Sequence, residues 1–140
     1  MSVQNAAIKG IEQGRAAYAY KMVEDAAAQL GGFDSKESRR YKSYVRKIPM
    51  LIKTNGLGAS FAFIKSKSVK EKAYSLIYNK VSDWLKDHDR KKFVDGGDLV
   101  KSLIALDSPE YRAVTGEVIS LFNWLRRFAE GLIEGEVEDA

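Results

Sequence analysis

A chain of 140 residues, 45% apolar and 30% charged, has the length and balance of one globular domain, not of a disordered polymer or a membrane polypeptide. It holds no cysteine, which excludes a disulfide framework, a thiolate metal site and a cysteine nucleophile. Its net charge of +4 is unevenly laid out: residues 1–34 carry three bases and four acids, residues 35–92 sixteen and five, residues 93–140 four and ten.

Strand-type alternation is scarce and apolar residues recur at helical spacing, so the fold class is all-α, a single-domain compact bundle of about five to six helices. The first helix is expected over residues 3–30, with Ile8, Ile11, Tyr18, Met22, Ala26 and Leu30 on one stripe. Gly31 and Gly32 end it, because glycine accepts the left-handed conformation of a helix C-terminus. Ser35 is placed to cap a second helix whose core stripe is Tyr41, Val45, Ile48 and Ile52. On a wheel, Lys36, Arg39, Lys42, Arg46, Lys47 and Lys53 fall opposite that stripe, making one side core and the other cationic. Pro49 removes an amide donor and is expected to bend this helix or end its first half. "TNG" then breaks it, at Asn55 and Gly56.

A short helix from Leu57 turns Leu57, Phe61 and Ile64 inward and carries Lys65 and Lys67 near its exit. The next stripe is Ala73, Ile77, Val81 and Trp84, followed by Arg90 to Lys92 where a helix dipole favours positive charge. After Gly96 and Gly97 comes a small helix over about residues 98–106. Ser108 is expected as the next cap, with Pro109 at the first helical position. The last helix repeats Tyr111, Val114, Val118, Leu121, Leu125, Phe128 and Leu132 and is expected to be the most buried. The domain spans residues 1–134, and residues 135–140 read as an acidic flexible tail. No apolar run approaches the ~20 residues of a membrane span, and the N-terminus lacks a secretory segment, so a cytoplasmic protein is expected.

Catalytic constellations are missing. His88, in "DHDR", is the sole histidine, whereas metal-dependent hydrolysis needs several histidines and carboxylates converging. "TNGLGAS" lacks the Gly-Lys-Ser/Thr of a phosphate-cradling loop, and "DGGD" reads the same way. The expectation is a protein that is not an enzyme and uses no cofactor, metal or small-molecule substrate.

The basic middle is the remaining signal. Residues 36–67 carry nine bases against one acid, Glu37, an imbalance that costs self-repulsion and favours an anionic partner. Tyr41 and Tyr44 could serve as stacking platforms for bases, but the wheel puts both on the core side. The segment after "TNG" is poor in the Arg, Asn and Gln that read base edges, so phosphate contact without sequence readout is favoured. The cations taken as the RNA-binding set are Arg39, Arg40, Lys42, Arg46, Lys47, Lys53, Lys65 and Lys67.

The run "YKSYVRKIPMLIKTNGLGASFAFIKSK", residues 41–67, preceded by "GRAAYAYKMVEDA", resembles the small α-helical subunit of type III-B CRISPR RNA-targeting effectors, the Cmr complexes. The likeness falls on Lys47, Pro49, Lys53, Asn55, Gly56, Lys65 and Lys67, and the helix order agrees over most of the remainder. It implies a non-catalytic helical bundle, stacked in several copies beside guide RNA and target RNA among the other effector subunits, with cleavage done by its neighbours. Two further readings stand beside it. One is a scaffold whose basic face meets acidic protein, including the acidic last third of another copy. The other is a helical DNA-binding regulator, which would require a stable dimer with sequence preference.

Overall fold

The computed structural model describes the backbone of residues 3–86 and 97–137, and the side chains of residues 10–86 and 97–137. His88 and the cluster Arg90 to Lys92 lie outside the described residues, as does the side chain of Ile8. Six helices occur in order and no strand among the described residues: α1 (Val3–Gln29), α2 (Lys36–Asn55), α3 (Leu57–Ser68), α4 (Lys72–Lys86), α5 (Leu99–Ile104) and α6 (Ser108–Leu132). The all-α bundle expected from periodicity is the observed fold.

The α1–α2 joint is built as the glycine pair foretells. Gly31 and Gly32 take φ of 100° and 108°, and the Gly32 N–H donates to the Ala27 carbonyl at 2.7 Å, closing the helix end. Two serines then fix the turn. Ser35 Oγ donates to the Leu30 carbonyl at 2.7 Å and accepts from the Ser38 N–H at 3.0 Å, so it caps α2 while holding the end of α1. Ser38 is fully buried, and its hydroxyl is satisfied by the Gly32 carbonyl at 2.6 Å.

α2 runs through Pro49 as a single helix, so proline separates no two elements here. Its end comes at Gly56, where φ 88° and ψ 161° form a sharp corner into α3. No side chain of α3 or its cap residue satisfies the first amides of that helix. Tyr111, from the first turn of α6, does so from a distance: its hydroxyl accepts from the Gly58 N–H at 2.7 Å. Asp107, not Ser108, caps α6, accepting from the Glu110 N–H at 2.9 Å. Ser108 sits one residue inside the helix, where Pro109 also fits without losing a needed donor.

α6 packs along α1 and α2, while α3 is held between α2, α4 and α5. Tyr41, Ile48, Leu57, Phe61, Ile77, Leu121, Phe122 and Leu125 are among the largest fully buried side chains, joining all these layers in one core. Ile11, placed on the apolar stripe of α1 by spacing, is instead 49% exposed. A polar seam crosses the α1–α4–α6 contact. Arg15 donates to Glu117 at 2.7 Å and also to Glu12, while the Trp84 and Trp124 indoles donate to Glu117 and Glu12, each at 3.0 Å. The Trp124 indole first and Arg15 second hold the Glu12 carboxyl below its ordinary range.

Candidate nucleic-acid interface

The cations of α2 do not form one open face. They divide into two rows on the same helix, and the chain's own C-terminal segment covers one of them.

In the covered row are Arg39, Lys42 and Arg46, at steps of three and four. Beyond α6, Ile133 is buried and the Glu134 N–H donates to the Phe33 carbonyl at 2.9 Å, which lays residues 133–137 against the α1–α2 side. Lys42 is thereby enclosed, only 3% exposed, a correction to the wheel, which put it in solvent. Its ammonium donates to the Ile133 carbonyl at 3.0 Å and lies 3.4 Å from Glu136. Arg46 meets Glu136 with a two-pronged fork, 2.6 and 3.0 Å, and Glu130 at 3.2 Å. That fork drives the Glu136 carboxyl down to about 2, with the Lys42 charge adding to it. Arg39 lies across Gly135, so close that a Cβ there would stand 3.0 Å from its Cδ. Glu136, within the segment expected to be a free acidic tail, is thus an ion-pair partner of the helix; residues 138–140 lie outside the described residues.

The open row is Arg40 and Lys47, seven residues apart, with Thr54 a further seven along. Arg40 pairs with Glu37 of its own helix at 3.2 Å, an exposed contact worth little. Lys47 borders a groove of about 510 Å³ between α2, α3 and α4, whose walls include Tyr44, Met50, Leu51, Phe63 and Tyr74. Tyr44 and Tyr74 stack at 3.9 Å with their planes 13° apart, and Phe63 meets Tyr74 edge-on at 6.2 Å. Burial first, then the Glu71 carboxylate, push the Tyr44 phenol above its usual range. Lys67 stands 5.6 Å over the Phe63 ring, at the margin of the same groove.

Lys53 is exposed, and like Lys47 it has no carboxylate partner among the described residues. Lys65 is engaged elsewhere: Asp98, ahead of α5, accepts from it and from the Tyr78 hydroxyl, each at 3.0 Å. Burial and that same carboxylate push the Tyr78 phenol up to about 12. Of the eight expected cations, the structure brings Lys47 and Lys67 to one groove, binds Arg39, Lys42 and Arg46 under the C-terminal segment, and sends Lys65 toward α5. Tyr41 is buried as expected, whereas Tyr44 reaches the groove wall.

Sequence reasoning missed Met50 and Phe63 as surface features. A signal was present: Phe61 and Phe63, two residues apart on a helix, cannot share the core face, and Phe61 is the buried one. No group of three or more metal-ligating side chains converges among the described residues, and no helix there is long and apolar enough to cross a membrane.

Comparison with known proteins decides the family. The profile of the CRISPR-associated protein family Cas_Cmr5 matches residues 11–132, nearly the whole described chain. The chain belongs to the Cmr5 family. It is 27% identical over 116 residues to the CRISPR system Cmr subunit Cmr5 of Thermus thermophilus, across 83% of this chain and 90% of that protein. The X-ray crystal structure of a CRISPR-associated Cmr5 family protein from Thermus thermophilus matches with a TM-score of 0.69 at 27% identity, covering 89% of this chain and 98% of the other. Membership as a type III-B Cmr subunit therefore agrees with the resemblance carried by residues 41–67.

Proposed function

We propose that this Cmr5-family chain is a non-catalytic small subunit of a cytoplasmic type III-B effector. It stacks in several copies among the other subunits and holds the backbones of guide and target RNA by charge. The observation that carries the reading is the set of exposed cations on α2 and α3, Lys47, Lys53 and Lys67, that no carboxylate neutralises among the described residues. Arg15, Arg46 and Lys65 are paired with carboxylates, whereas these three stay open on neighbouring turns of α2 and α3, which concentrates positive potential where a phosphate polymer can use it. Lys42 is not part of that surface, and Arg46 joins it only if Glu136 is displaced.

The test is fluorescence anisotropy with an unstructured RNA across a salt series, comparing the wild type with Lys47→Glu/Lys53→Glu. Each lost phosphate contact lowers the slope of log affinity against log salt by ~0.7 on a single strand. A folded double variant with unchanged affinity and slope refutes the assignment. The scaffold reading also has an observation in its favour, since Glu130 and Glu136 already sit on Arg46 and show that α2 accepts protein carboxylates. Displacement of other effector subunits, with RNA binding intact, in the same variant favours that reading.

A further inference from the structure

The groove between α2, α3 and α4 carries more chemistry than phosphate contact requires. Its volume of about 510 Å³ lies within the range of clefts that hold small ligands, roughly 300–1,000 Å³. Phe63 and Met50 give it open apolar surface, being 42% and 66% exposed, whereas Tyr74 behind them is buried and already stacked on Tyr44. Thr54 and Asn55 contribute polar side chains to the same wall. Lys47 lines the groove and Lys67 stands over Phe63, and no carboxylate belongs to the lining itself, although Glu71 acts on the Tyr44 and Tyr74 phenols of its wall.

An apolar groove with a cationic margin admits one of two guests, an apolar side chain on an acidic peptide or an unstacked base on a phosphate chain. A flat aromatic platform, amide and hydroxyl groups that can meet base edges, and lysines spaced along the margin favour the base. We propose that this groove takes one unstacked nucleobase of a single-stranded RNA, laid on Phe63 beside Met50, with Lys47 and Lys67 holding the adjoining phosphates. The proposal rests on the RNA-binding reading and deepens it, because it turns a sequence-blind electrostatic surface into one that requires bases to be present.

The experiment compares two labelled polymers with the same number of phosphates, an oligouridylate and a fully abasic oligomer, by anisotropy on the full chain. The wild type is expected to bind the base-bearing polymer at least about fivefold more tightly, the low end of what one stacked base contributes. Phe63→Ala is expected to abolish that preference and leave abasic binding and its salt slope unchanged. Phe63→Leu, which keeps the groove filled, is expected to do the same. Equal, salt-sensitive binding of both polymers by the wild type overturns the base site and leaves the phosphate reading standing. Binding of neither polymer overturns both. A preference that survives in Phe63→Ala, while that variant loses its hold on other effector subunits, overturns the base site and assigns the groove to protein.

Discussion

Replacing Gly56 by alanine tests whether the α2–α3 corner is built from backbone conformation. Its φ of 88° with ψ of 161° lies in a region that residues with a Cβ essentially never enter. Space is not the obstacle, because the nearest atom to an added Cβ is the Tyr111 hydroxyl at 3.5 Å, an ordinary contact. The penalty is therefore conformational, about 1–3 kcal/mol. With an unfolding entropy of ~2.1 cal/mol/K per residue, a 140-residue domain loses ~3 °C of Tm per kcal/mol. Gly56→Ala should melt about 3–10 °C below the wild type by calorimetry or circular dichroism. Gly116 supplies the matched control. It lies within α6 at ordinary φ, and an added Cβ meets nothing within 4 Å. Gly116→Ala should raise Tm by ~3 °C, because alanine is preferred over glycine in a helix by about 0.8–1 kcal/mol. If Gly56→Ala melts at or above the wild type, as Gly116→Ala is expected to, the strain reasoning at the corner fails.

Three further outcomes are expected. The Glu136 carboxyl, with its ordinary value of 4.5 brought down to about 2 by Arg46, stabilises the closed C-terminal segment above pH 4.5 and releases it as pH falls toward 2. An NMR titration should show this low midpoint, and Arg46→Ala should return it toward 4.5. Tyr111→Phe leaves the buried Gly58 amide without its acceptor and should cost about 1–3 kcal/mol in urea unfolding. Arg15→Ala leaves Glu117, whose side chain is 11% exposed, with less neutralising charge. It should destabilise by about 1–3 kcal/mol, with a concurrent change in Trp84 fluorescence.

Helix existence was legible because the core stripes are long and regular. Tyr41, Val45, Ile48 and Ile52, and later Val114, Val118, Leu121 and Leu125, are all buried. Gly31, Gly32 and Gly56 marked true ends, since each takes a positive φ. The site was less legible, for a reason Lys42 illustrates. A wheel describes one helix in isolation and cannot show that another segment, distant in sequence, will close over its polar side. Ile133 anchors that segment, and nothing in the local pattern of α2 announces it. Capping failed by one residue for a similar reason, because Asp107 and Ser108 are both capable caps and only the chain's entry direction chooses between them. Leu57, Phe61 and Ile64 are buried as their spacing places them, while Phe63, which that stripe leaves out, is exposed.

The pairing of Glu136 with Arg46 makes the segment after α6 an intramolecular competitor. A carboxylate tethered by a short stretch of chain stands at an effective concentration on the order of millimolar. Any free anion seeking Arg46 must exceed that local dose, and a lone micromolar phosphate does not. On the proposed RNA-binding reading, a polymer held at Lys47 and Lys53 would arrive with comparable local concentration and contest the place. On that reading the terminus would work as a threshold, reserving one arginine for ligands already bound by other contacts.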